Sequence, residues 1–167
     1  GGEPFLRNDL HEIHRIIMKN CQPMMVSIPT NGWYTDKTYI NTLRMLQQMQ
    51  RGTLTIQISV DGPQSIHDDI RGKDSWHHLL KTWHKLTELR RIYPQLSLGI
   101  ITVVNNANYH AYPDFIDEIT DTFQPNQISI NLIRDTENLQ APVSIPVLDA
   151  YKNAIERYEW HIKHKTL

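Results

Sequence analysis

The stretch Leu54-Thr55-Ile56-Gln57-Ile58-Ser59-Val60-Asp61-Gly62-Pro63 decides how the rest of the chain is read. Leu54, Ile56, Ile58 and Val60 alternate with Thr55, Gln57 and Ser59, which is the period-two pattern of a strand. Asp61-Gly62-Pro63 is a turn composition and closes it. A parallel strand covered by helices on both faces is apolar throughout. A polar face here therefore lines a cavity or ligand site, or belongs to a wet edge strand. Ser129 and Asn131 alternate in the same way with Ile128, Ile130 and Leu132, and this repetition leans toward a polar lumen.

Outward from that strand, helix-like and strand-like segments alternate. Asn8 is positioned to cap a helix to about Asn20, with Leu10, Ile13 and Ile17 on one face. Met24 to Ile28 reads as a short strand ended by the turn Pro29-Thr30-Asn31-Gly32. Thr35 or Asp36 opens a second helix carrying Tyr39, Leu43, Leu46 and Met49 on its inner face. Ser75 opens a longer one with Trp76, Leu79, Leu80, Trp83 and Leu86 at helical spacing, where the tryptophans read as core packing. Leu98 to Val104 is a strand, Pro113 to Phe123 a helix, Ile128 to Ile133 a strand, and a final helix starts near Val147. Four strands alternating with helices predict an α/β fold with a parallel sheet. The alternation leaves an open doubly wound sheet and a partial barrel both in play. Residues 1–167 read as a single domain.

Composition narrows the function classes. Hydrophobic residues are 40% and charged residues 21% of the chain, as in ordinary globular proteins. A formal net charge of -1 gives no electrostatic case for a nucleic-acid partner. No apolar run approaches the roughly 20 residues of a membrane span. The single cysteine, Cys21, excludes an intrachain disulfide and fits a reducing, cytoplasmic setting. Gly1-Gly2-Glu3-Pro4 lacks an initiator methionine and enters a turn at once, so the sequence reads as a piece of a longer chain.

Ligands of parallel α/β folds gather at the carboxyl ends of the strands. Those ends carry Thr30-Asn31-Gly32, Ser59 with Asp61, Asn105-Asn106 and Arg134-Asp135, small polar groups suited to hydroxyls, an amine and a carboxylate. Asn105-Asn106 reads more simply as a turn. Gly99, inside a strand, marks the close approach of a neighbour or a ligand. The nine histidines read as solvated helix faces, and no metal is assigned to them.

Gly1-Gly2-Glu3-Pro4, Thr30-Asn31-Gly32, Ser59-Val60-Asp61-Gly62-Pro63 and His67-Asp68-Asp69-Ile70-Arg71-Gly72, in that order, resemble radical S-adenosylmethionine enzymes. The similarity is to the branch that often carries a C-terminal auxiliary-cluster (SPASM-type) domain. The resemblance implies a partial (β/α)6 TIM-like barrel, here a fragment lacking its first strand or strands. It implies oxidoreductase chemistry: a [4Fe-4S] cluster on a CxxxCxxC loop cleaves S-adenosylmethionine, and the 5′-deoxyadenosyl radical abstracts hydrogen from a substrate. Gly2, Glu3 and Pro4 resemble the turn that binds the cofactor's amino group, through backbone carbonyls and the carboxylate. Thr30 is similarly placed at the end of a strand. Ser59 resembles the position that bonds the ribose or carboxylate, and Arg71 the residue that pairs with the methionyl carboxylate. Asn131 and Ile133 would lie near the adenine. The implied partners are a peptide or small-molecule substrate and an electron donor such as flavodoxin or ferredoxin, with no nucleic acid and no membrane.

The sequence departs from that pattern where the cluster should be. Cys21 cannot replace three thiolates, so the expectation is that the cluster belongs to the full-length protein only and that these 167 residues alone are inactive. A barrel opened at Met24–Ile28 is expected to self-associate through its edge. Two rivals stand beside the radical enzyme. A lyase or aldolase on an ordinary barrel needs a strand-borne lysine or a metal, and the strands hold no lysine. A non-catalytic ligand-binding or scaffold domain derived from the same fold is the other.

Overall fold

The computed structural model describes residues 2–134 and 143–164. Gly1 of the opening motif, Asp135 and Pro142 lie outside the described residues. Four strands, β1 (Met25–Thr30), β2 (Thr53–Ser59), β3 (Leu96–Val104) and β4 (Gln127–Leu132), form one sheet. All neighbours are parallel and the order is β1-β2-β3-β4. The α/β class with a parallel sheet is therefore as the alternation predicts. Among the described strands the order does not reverse.

Among the described residues six α-helices accompany the strands: α1 (Leu10–Cys21), α2 (Thr35–Gln48), α3 (Gln64–Arg71), α4 (Ser75–Ile92), α5 (Asp114–Phe123) and α6 (Ile145–His164). Every strand residue in the apolar core has an even number: Ile28, Leu54, Ile56, Ile58, Leu96, Leu98, Ile100, Val104 and Ile128. One face of the sheet thus supplies the core. Against it pack Met45 and Leu46 of α2, Leu79, Trp83 and Leu86 of α4, Phe115, Ile119 and Phe123 of α5, and Val147 and Ala154 of α6. Each such large side chain contributes about 1.5–3 kcal/mol of burial. Trp76 and Trp83 both meet Phe123 edge-on, at 5.9 and 5.2 Å between ring centroids, in keeping with their reading as core.

Several local expectations are corrected. β1 continues through Pro29 to Thr30 instead of ending at Ile28. The N–H of Thr53 bonds the carbonyl of Met24, so the even-numbered peptide groups of β1 face β2. The ring nitrogen of Pro29 consequently lies on the free edge, where a missing donor costs nothing. The His67–Arg71 stretch, to which the sequence reading assigned no element, lies in α3. Its Asp68 caps the next helix: Oδ1 accepts the Trp76 N–H at 2.7 Å and the Ser75 hydroxyl at 2.8 Å. Neither Asn8 nor Ser75 caps through its own side chain, because α1 begins after Asp9 and α4 after Asp74. The α1 inner face also differs. Ile17 is exposed, while His14 is 2% exposed, so the solvated-face reading fails for this histidine.

Buried hydroxyls lock the sheet's carboxyl end. Thr82 of α4 donates to the Gly32 carbonyl at 2.6 Å and shares a hydrogen bond with Thr35 at 2.8 Å. Gly32 has φ +74°, and a Cβ there would lie 3.0 Å from the Leu79 backbone, so only glycine fits this turn. At the other end of the chain, Asp117 of α5 accepts two bonds from Arg157 and lies 2.6 Å from the His161 ring, which fastens α6 onto α5.

Candidate functional site

Asp61, two residues past the end of β2, organises the carboxyl end of the sheet. It is 4% exposed. Its Oδ1 accepts the Val103 N–H of β3 at 3.1 Å, and its Oδ2 accepts the Arg71 Nε–H at 2.6 Å. Its carbonyl accepts the amide of fully buried Asn108 at 2.8 Å. Its own N–H donates to His67 Nδ1 at 3.2 Å. One residue therefore ties together β2, β3, α3 and the loop after β3. Arg71 pairs with Asp61 and not with Asp68 or Asp69 of its own helix.

His67 reports on how dry this corner is. Accepting from a backbone N–H leaves Nδ1 without a proton, so the neutral ring carries its hydrogen on Nε2. Burial, with the nearby Arg71 charge, pushes its pKa down to about 4, against the opposing pull of Asp61 and Asp68. Nε2 is buried and has no hydrogen-bond partner among the described residues. The reading of the histidines as solvated fails here too, because packing against Trp76 covers the ring.

Arg71, the last residue of α3, has a side chain 29% exposed. Asp61 takes its Nε, and no hydrogen bond to its two terminal nitrogens occurs among the described residues. The arginine is held from behind while its outer edge stays free for a planar acceptor such as a carboxylate.

The odd-numbered positions make the opposite face of the sheet, which is mostly polar, with Met25, Ile101 and Val103 among its apolar members. Pro29, Gln57, Gly99 and Gln127 stand in one register row across the four strands. The Ser27 hydroxyl donates to Gln57 Oε1 and the Gln57 amide donates to the Ser129 hydroxyl, each at 3.1 Å. A Cβ on Gly99 would lie 3.2 Å from Gln57 Cγ and 3.1 Å from Gln127 Cγ. Gly99 therefore admits the side chains of its neighbours, the first of the two roles open to it from sequence. Ser59 and Asn131 lie on this same face, half-buried and exposed respectively.

The remaining candidates fall elsewhere. Glu3 spends its carboxylate inside the protein: Oε1 accepts from the Thr30 hydroxyl at 2.8 Å and the Phe5 N–H at 3.1 Å, and Oε2 from the Asn31 N–H at 2.8 Å. Thr30 is 3% exposed, points to the core side, and also accepts the Gly32 N–H at 3.1 Å. These two residues clamp the N-terminal segment onto β1. Gly2 is exposed and Pro4 half-buried at the start of a short 3-10 turn. Ile133 follows β4, with its N–H on the Val104 carbonyl.

Asn108 was not singled out from sequence, and His67 only as the first residue of a quoted motif with no role given to it, since nothing local distinguishes them from loop and surface residues. The sequence marked Asp61 by its Asp-Gly-Pro turn at a strand end and by the quoted Ser59–Pro63 motif, but not as the partner of Arg71. Among the described residues no three His, Cys, Asp or Glu side chains converge as a metal site, and Cys21 ends α1 in an exposed position. No described helix is long and apolar enough to cross a membrane. No family model matches the sequence, and no curated protein matches it.

Proposed function

We propose that this chain is the S-adenosylmethionine-binding core of a radical S-adenosylmethionine enzyme, with its sheet forming an arc of a (β/α)6 barrel. The observation that carries the reading is the presentation of Arg71 by Asp61 beside the strand end that holds Ser59. A sequential parallel order is what a barrel arc requires, and the polar odd-numbered face would line its lumen. Arg71 would pair with the methionyl carboxylate through its two terminal nitrogens. Ser59 would bond the cofactor nearby, and Asn131 and Ile133 would border the adenine. Gly2 and Pro4 would offer backbone carbonyls to the amino group. Glu3 acts in this reading by holding that turn against β1 rather than through its carboxylate.

The iron–sulfur cluster does not fit these residues. A [4Fe-4S] centre takes cysteine thiolates, and the sequence holds one cysteine, exposed and without companion ligands among the described residues. In this reading its ligands belong to sequence outside the 167 residues, as do the hydrogen abstraction, the electron donor and the substrate contacts. Calorimetric titration with S-adenosylmethionine tests the assignment. Saturable binding that Arg71→Ala abolishes supports it. Absence of binding, or equal affinity in the variant, favours a scaffold domain of the same fold.

A further inference from the structure

We infer, resting on the reading of Arg71 as the partner of a ligand carboxylate, that Asn108 is a positioning residue for that arginine. By fixing Asp61 from behind, Asn108 sets the direction in which Arg71 presents its free edge. It lies in the loop after β3, outside every motif that carries the resemblance.

Asn108 is fully buried. Its Nδ2 donates to the carbonyls of Asp61 and Val103, each at 2.8 Å, and its Oδ1 accepts the Asn105 N–H at 2.7 Å. These partners fix the amide's orientation, since the reverse would set an oxygen against two carbonyl oxygens. Closing the loop needs only the acceptor, a task that an aspartate performs as well. The two donor bonds go beyond that task, and both reach groups that hold the Asp61 carboxylate.

Val103 supplies the N–H that Asp61 Oδ1 accepts at 3.1 Å. The N–H of Asp61 is held by His67 Nδ1 at 3.2 Å, and its carbonyl by Asn108. Both peptide groups beside the Asp61 Cα are thus pinned, which fixes the path of its side chain. The second leads into Gly62, at φ +152°, a residue that restrains the peptide little by itself. Asp61 Oδ2 then takes the Arg71 Nε at 2.6 Å. A guanidinium meets a planar acceptor through a rigid fork, so a tilt of its plane lowers affinity.

Hydrogen exchange of the Arg71 Nε–H, followed by nuclear magnetic resonance, tests the link without a cofactor. Asn108→Asp keeps the size and the acceptor for Asn105, and replaces the two donors by an oxygen facing two carbonyls. Exchange at Arg71 Nε is expected to rise about tenfold or more, while the amides of Leu98 and Ile100 in β3 stay protected. Asn108→Ser, uncharged, is expected to act in the same direction and decides the matter if the aspartate variant does not fold. Ile119→Val, a core change on α5, controls for lost stability alone and is expected to leave Arg71 as it is. Unchanged exchange in the folded Asn108 variant, or an equal rise in Ile119→Val, overturns the inference.

Calorimetric titration with S-adenosylmethionine is the second arm, and affinity is expected to fall about tenfold in Asn108→Asp. Equal affinity despite faster exchange also overturns it. Faster exchange with no cofactor binding even in the unaltered chain upholds Asn108 as the positioner of Arg71 and removes the S-adenosylmethionine reading instead.

Discussion

Arg71 Nε donates to Asp61 Oδ2 at 2.6 Å, and the two residues are ten apart in sequence, one in a turn and one at the end of a helix. The aspartate is almost wholly buried, with 5% of its side chain exposed, against 29% for the arginine. Such a pair contributes less by attraction than its loss costs, because removing one partner leaves the other charged in a dry place. Asp61→Asn keeps an acceptor for the Val103 N–H and loses the ion pair. It is expected to lower unfolding stability by about 1–3 kcal/mol, as for a buried group deprived of its partner. Urea denaturation measures this, and an unchanged midpoint would mean that the pair does not hold the corner together.

Cofactor affinity should separate Arg71 from Ser59. Removing the arginine would strand a carboxylate in a partly desolvated site, at a cost of about 2–5 kcal/mol. Losing the Ser59 hydroxyl should cost roughly 0.5–1.5 kcal/mol. Titration calorimetry with S-adenosylmethionine is therefore expected to rank Arg71→Ala well below Ser59→Ala, with His84→Ala, on the exposed face of α4, like the unaltered chain. The reverse order would remove Arg71 from the site.

Acid should destabilise the fold through its buried histidines. The folded-state pKa of His67 is pushed down to about 4 from 6.5, so the unfolded chain binds the proton more readily. The stabilisation is fully present above the unfolded value and is lost as pH falls from 6.5 toward 4, by roughly 3 kcal/mol at most. Burial lowers His14 in the same direction. Denaturation curves across that window are expected to show a slope that His67→Gln reduces, with the His14 share remaining. An identical slope in the variant would place the acid sensitivity elsewhere.

The free side of β1 should promote association. β1 is an edge strand of the described sheet, and Met24 just before it and Met25 at its start are 74% and 58% exposed. Its free peptide groups are those of Met25 and Ser27, and Pro29 ends the run of donors. Sedimentation velocity is expected to show concentration-dependent self-association that Met25→Lys weakens. A clean monomer over a wide concentration range would show that the proline and the short strand suffice to protect this edge.

The strand pattern was legible because each side chain's face follows from its number alone. Alternation in Leu54–Val60 and Ile128–Leu132 separated a core face from a polar face, and both faces occur in the sheet. The 3.6-residue spacing of Trp76, Leu79, Trp83 and Leu86 likewise placed α4 against the core. These are local periodicities, and a backbone geometry with a fixed repeat makes them readable without a partner.

Only the tertiary structure decided which polar groups meet. Glu3 and Thr30 are 27 residues apart and satisfy each other, although each had been matched to a cofactor contact. His14 and His67 have no local sequence mark of burial; α1 and α3 turn them inward because the sheet and neighbouring helices close over those faces. The choice of Asp61 over Asp68 or Asp69 as the partner of Arg71 depends on α3 folding back on the end of β2. Sequence spacing carries no such information, since hydrogen bonds and burial are set by distances in space, and those exist only once the strands are in register.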